Sequence, residues 1–141
     1  MHTITLSPRF SETDALGHIN NTVVPVWFEE ARTPIFRCFV PSLDHREWNL
    51  ILAGFKVDYL LPTYYGQDVV ITTGVNQVGN SSLKIWHQAS QGGKVVARAE
   101  VAMVHYDYGE EKPVRIPDEI REALGPLLGD KPWIEPSHFT E

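Results

Sequence analysis

The chain has 141 residues, with 12 Lys and Arg against 18 Asp and Glu, for a formal net charge of −6. Hydrophobic residues make up 43% and charged residues 21%, the composition of one globular domain rather than of a disordered, collagenous or coiled-coil chain. The acidic balance argues against nonspecific nucleic-acid binding, no apolar run reaches the ~20 residues of a membrane-spanning helix, and one cysteine, Cys38, excludes a disulfide framework and a multi-cysteine zinc site.

The first ten residues lack a basic stretch followed by an apolar one, so no signal peptide is expected and a cytoplasmic location follows. Residues 3–10 alternate apolar and polar and read as an edge strand, since Pro8 cannot donate to a ladder. Residues 11–23 are rich in Ser, Thr, Asp, Asn and Gly, the chemistry of loops and caps. Over residues 24–40, Val24, Trp27, Phe28, Ala31, Ile35, Cys38 and Phe39 recur three or four apart and predict one long helix. Asn20 or Asn21 can cap it and Pro25 suits its first turn, whereas Pro34 should kink or split it.

Four strands are then predicted over 50–61, 67–78, 81–90 and 94–107, separated by turn signals at Pro62–Gly66, Gly79-Asn80 and Gly92-Gly93. In the last of them Val95, Ala97, Ala99, Val101 and Met103 share one face, with Arg98 and Glu100 on the other. Residues 117–124 predict a short helix between Pro117 and Gly125, and a surface tail is expected over 126–141. One long helix with an antiparallel sheet is an α+β domain, 1–141, with its core over about 3–125. A sheet with one helical layer and a free edge favours a homodimer.

No phosphate loop, nucleophile elbow or HExxH motif occurs, and Cys38 on an apolar helix face reads as a core residue. His87 and His105 read as ordinary strand residues, and His2, His45 and His138 as surface or loop. The chemistry concentrates in residues 11–32. Asp14 lies in a Gly-containing loop just before a helix N-terminus, whose unpaired amides attract oxyanions. A carbonyl resting there would be polarised, and the carboxylate could attack it or activate water. The same pattern is also that of an ordinary turn and cap. Asp14 and His18 suggest a metal pair only weakly, because no third ligand is placed and Gly17 opposes a helix.

The run from Arg9 to Asn21, RFSETDALGHINN, leading into Phe28-Glu29-Glu30-Ala31-Arg32, resembles the hot-dog-fold acyl-CoA thioesterases of the 4-hydroxybenzoyl-CoA thioesterase type. Residues 57–62 and 65–69, Gly79 to Leu83 and residues 96–99 are similar as well. The resemblance implies an antiparallel sheet wrapped around one long helix and a dimer with a continuous sheet, two of which can form a homotetramer. It implies hydrolysis of an acyl-CoA or acyl carrier protein thioester, with no permanent cofactor and no metal.

By the same resemblance Asp14 is the nucleophile or general base, Gly17 lets the loop approach the substrate, and His18, Asn20 and Asn21 are its neighbours. Backbone amides of Thr22, Val23 and Val24 form the oxyanion site. Trp27 and Phe28 line the acyl pocket. Lys56, Ser81, Ser82, Lys84, Arg98 and Arg115 are candidates for contacts to CoA. Some relatives carry a histidine where this chain has Asn21, and many a tyrosine near Val24 with no proline after it. The alternatives are a non-catalytic acyl-CoA-binding hot-dog protein and a hot-dog hydratase or dehydratase. No nucleic acid and no membrane is expected as a partner.

Overall fold

A computed structural model of the chain describes residues 1–134. Strand β1 spans His2–Leu6, β2 Leu50–Tyr59, β3 Val69–Val78, β4 Ser82–Gln91, β5 Lys94–Asp107 and β6 Lys112–Pro113. They form one sheet in the order β1-β3-β4-β5-β2, with β6 pairing β5. Every ladder is antiparallel. The strand expected over 3–10 stops at Leu6, and after three residues outside any regular element a 3-10 turn follows at Phe10–Glu12.

The helical segment is two helices, α1 over Val23–Ala31 and α2 over Thr33–Phe39. Pro34 is the reason for the break. It sits in the first turn of α2, where no donor is needed. The Arg32 carbonyl then receives the amides of Ile35 and Phe36 at 2.9 and 3.0 Å.

Both helices press apolar faces on the sheet. Val24, Trp27, Phe28 and Ala31 pack with Val69, Ile71, Ala89, Ala97 and Ala99. Ile35, Phe39 and Val40 pack with Leu50, Val75, Leu83, Ile85, Val101 and Met103. On β5 the buried series runs Ala97, Ala99, Val101, Met103, His105. Val95 departs from the face expected for it. The β4–β5 register slips between Ala89 and Ser90, and the extra residue turns Val96 inward instead. His2 also differs from expectation: it lies in β1, half-buried, and donates from Nε2 to the Ala31 carbonyl at 2.7 Å.

The short helix α3 spans Asp118–Ala123. Beyond it the chain packs back on the sheet instead of trailing over the surface. Leu127 is buried, the Gly129 amide bonds the Val75 carbonyl, and Trp133 meets Trp86 edge-on at 6.1 Å. Residues 135–141, with His138, lie outside the described residues.

Candidate active site

Between β1 and α1 the chain folds back on itself. Thr13 bridges Ile19, and the Asp14 amide donates to the His18 carbonyl at 2.7 Å. Gly17 takes a φ of +80° at the bend, a backbone region that side chains disfavour. Asp14 Oδ1 accepts the amides of Leu16 at 2.8 Å and His18 at 3.1 Å. Among the described residues Oδ2 makes no hydrogen bond. One oxygen therefore orients the carboxyl group and the other is free for chemistry.

The loop is anchored beyond Asp14 as well. The Ile19 amide donates to the Thr63 carbonyl at 2.7 Å, and the His18 ring packs edge-on against Tyr64 at 5.2 Å. Asn20 then organises the start of α1. Its Oδ1 accepts the Thr22 amide at 2.9 Å and the Thr22 hydroxyl at 2.8 Å, and its carbonyl accepts the Val23 amide at 2.9 Å. Of the amides expected at the oxyanion site, those of Thr22 and Val23 are thus already bonded within the turn. Those of Asn21 and Val24 carry no bond to Asn20, and Pro25 has no amide hydrogen. The Asn21 carbonyl accepts the Tyr59 hydroxyl from the end of β2. Burial pushes the Tyr59 phenol above its ordinary pKa.

These elements enclose a cleft of about 530 Å³. Asp14, His18, Asn20 and Asn21 form one wall, and Tyr59, Leu60, Leu61, Pro62 and Thr63 the other. Gly17 shapes the loop without lining the cleft. The sequence alone does not single out the second wall as part of the site, although residues 57–62 are among those that carry the resemblance.

The other expected site residues lie elsewhere. Trp27 is 6% exposed and Phe28 is fully buried, so within one chain they belong to the core under α1 and the apolar wall comes from Ile19, Leu60 and Leu61. Lys56 and Lys84 share a separate groove of about 300 Å³ with Glu100. Arg98 pairs with Asp58 at 3.4 Å, Arg115 with Asp118 at 2.9 Å. Ser81 and Ser82 sit at the β3–β4 turn, where the Gly79 amide bonds the Ser82 carbonyl. Cys38 is half-buried, its Sγ near the carbonyls of Pro34 and Ala123, and burial raises its thiol pKa. No group of three or more His, Cys, Asp or Glu gathers in a metal-binding arrangement among the described residues.

The sequence profile of the Thioesterase-like superfamily matches residues 8–124. A predicted thioesterase from Bacillus stearothermophilus is 42% identical and superposes with a TM-score of 0.89, over 92% of this chain and 97% of its own. A thioesterase from Thermus thermophilus, solved with coenzyme A and Zn, is 30% identical with a TM-score of 0.80, over 92% and 95%. The uncharacterized protein YsmA of Bacillus subtilis (strain 168) is 30% identical over 120 residues, 84% of this chain and 82% of that one. The fold is the hot-dog fold of these thioesterases, and the chain belongs to the Thioesterase-like superfamily.

Proposed function

We propose that the protein hydrolyses an acyl-CoA thioester, or its acyl carrier protein counterpart, to the free acid and thiol, with Asp14 as the reacting carboxyl group. The observation that carries this reading is the state of Asp14 in the cleft: Oδ1 held by two amides, Oδ2 unbonded, beside the start of a helix. In this reading the thioester carbonyl rests at the Asn21 end of the cleft, beside the start of α1, where donors aimed at the developing oxyanion stabilise it. As a nucleophile, Asp14 Oδ2 attacks the carbonyl carbon, the C–S bond breaks, thiolate leaves, and water hydrolyses the resulting anhydride. As a general base, Asp14 takes a proton from water as that water attacks, and the proton goes on to the departing thiolate.

A homodimer is the working unit we favour, with the tetramer as two such dimers. The outer edge of β2 pairs with no other strand among the described residues and presents Leu52 and Phe55, 49% and 37% exposed. No helix among the described residues is long and apolar enough to cross a membrane, and the reading places the protein in the cytoplasm.

The test is thiol release from short, long and aromatic acyl-CoAs, and from acyl carrier protein thioesters, by wild type and Asp14→Asn. A fall of at least ~100-fold in the variant, about 3 kcal/mol of barrier, supports the reading. Acyl-CoA binding without thiol release on any substrate would replace it with a non-catalytic binding protein. Hydration of enoyl-CoA without thioester cleavage would replace it with a hydratase. After a first turnover in ¹⁸O-water, label in the Asp14 carboxyl group would establish the nucleophilic route with water attacking the anhydride at the Asp14 carbonyl, because the general-base route puts the label only into the released acid.

A further inference from the structure

Two residues outside the cleft, Glu12 and Trp27, join the loop that carries Asp14 to the helix that begins the oxyanion site. Glu12 is a buried carboxyl group in a run of polar residues. Its Oε1 accepts the Arg9 amide at 2.6 Å and its Oε2 accepts the indole N–H of Trp27 at 3.0 Å. Its backbone carbonyl accepts the Asn20 amide at 2.8 Å. The start of the loop, its end and the buried face of α1 therefore meet at one residue. Asp14 lies two positions beyond this hub, and Asn20, which organises the first turn of α1, is bonded to it directly.

We infer that Glu12 and Trp27 are positioning residues for the proposed hydrolysis, and the inference rests on that reading. The reaction needs the Asp14 carboxyl group and the amides at the start of α1 at a fixed separation, and an error of about 1 Å between such groups can cost on the order of 100-fold in rate. Side-chain packing holds α1 against the sheet and seats Ile19, at the end of the loop, in the same core. At the start of the loop the indole bond to Glu12 is the side-chain hydrogen bond that ties it to α1. A tryptophan at this place does more than fill the core: a phenylalanine would fill much of the same space and donate nothing.

Trp27→Phe removes the donor and keeps an aromatic ring, so the fold survives. In the thiol-release assay we expect kcat to fall about tenfold, KM to change less than threefold, and the melting temperature to stay within a few degrees. The same substitution made in Asp14→Asn should lower the residual rate less than twofold, because the link acts through Asp14. An equal loss in both backgrounds, or an unchanged kcat in Trp27→Phe, would overturn the inference. Hydrogen exchange at Leu16 and His18, whose amides bond Asp14, gives a readout that needs no activity. Faster exchange in Trp27→Phe supports the link, and unchanged exchange overturns it even if wild type proves inactive. A wild type without thiol release but with faster exchange in the variant overturns the hydrolase reading and leaves the link standing.

Discussion

Arg32 and His87 meet inside the protein, the guanidinium 3.3 Å from the imidazole Nε2, with only 2% of Arg32 exposed and none of His87. A guanidinium only donates, so Nε2 is the acceptor and the ring proton sits on Nδ1, which donates to Thr73 Oγ1 at 2.7 Å. Phe28 stacks on the ring with centroids 4.9 Å apart. Burial, then the Arg32 charge, then His2 hold the His87 pKa well below the ordinary histidine value of 6.5. In the unfolded chain this histidine takes a proton below about pH 6.5, while in the folded protein it stays neutral to lower pH. Its contribution to stability is therefore complete above pH 6.5 and lost progressively as the pH falls below it, by at most about 1.4 kcal/mol per pH unit. Urea unfolding of wild type and His87→Gln between pH 8 and 5 checks this: the wild-type curve should fall more steeply below pH 6.5.

Tyr59→Phe deletes one hydroxyl and its bond to the Asn21 carbonyl. The loss in stability should be about 1 kcal/mol or less, as for a single exposed hydrogen bond. The effect on thiol release should be larger in proportion, a three- to tenfold lower kcat, because the bond pins the turn that carries Asn21, a residue of the cleft wall. Steady-state kinetics beside a melting curve separates the two.

Gly74 in β3 lies under the Trp86 ring, and a Cβ there would stand 2.7 Å from three of its atoms. Gly74→Ala must push the indole aside and break its 2.8 Å bond to the Gly129 carbonyl. A loss of about 1–3 kcal/mol is expected, in the range of overpacked cores. The change should also appear in tryptophan fluorescence.

Leu52→Asp places a charge on the free β2 edge, where a second sheet would pair. Sedimentation should show monomer where wild type shows dimer, and the monomer should keep its far-UV spectrum, since Leu52 is about half exposed within one chain. A wild type that sediments as a monomer would remove the dimer from the proposal.

Much of the fold is legible in the sequence because its signals are local. Turn residues set off strands β2 to β5, β5 alternates along most of its length, and Pro34 announces the break that separates α1 from α2. The candidate site is legible as far as Asp14, Gly17 and the asparagines, whose turn chemistry belongs to the loop itself. The rest depends on distant partners. Glu12 reads as one solvated residue in a polar run until Trp27 covers it. Tyr59 reads as the end of a strand until the fold brings Asn21 beside it. Trp133 follows a Pro-rich stretch that looks like a surface tail, yet Arg98 and Trp86 receive it. In each case the deciding contact joins segments that sequence periodicity treats separately.

The strand order also sets a sequence of events in time. The central strands β3, β4 and β5 are consecutive and joined by tight turns, so they can pair as soon as each hairpin closes. The edges β1 and β2 come from the first part of the chain and pair with strands far along it, which requires closing long loops. Tyr59, Leu60 and Leu61 arrive only with β2, and the Asp14 loop only with β1. In pulse-labelled refolding the amides of β3–β5 should therefore gain protection first, and those of β1, β2 and the Asp14 loop last, after a sheet is already in place.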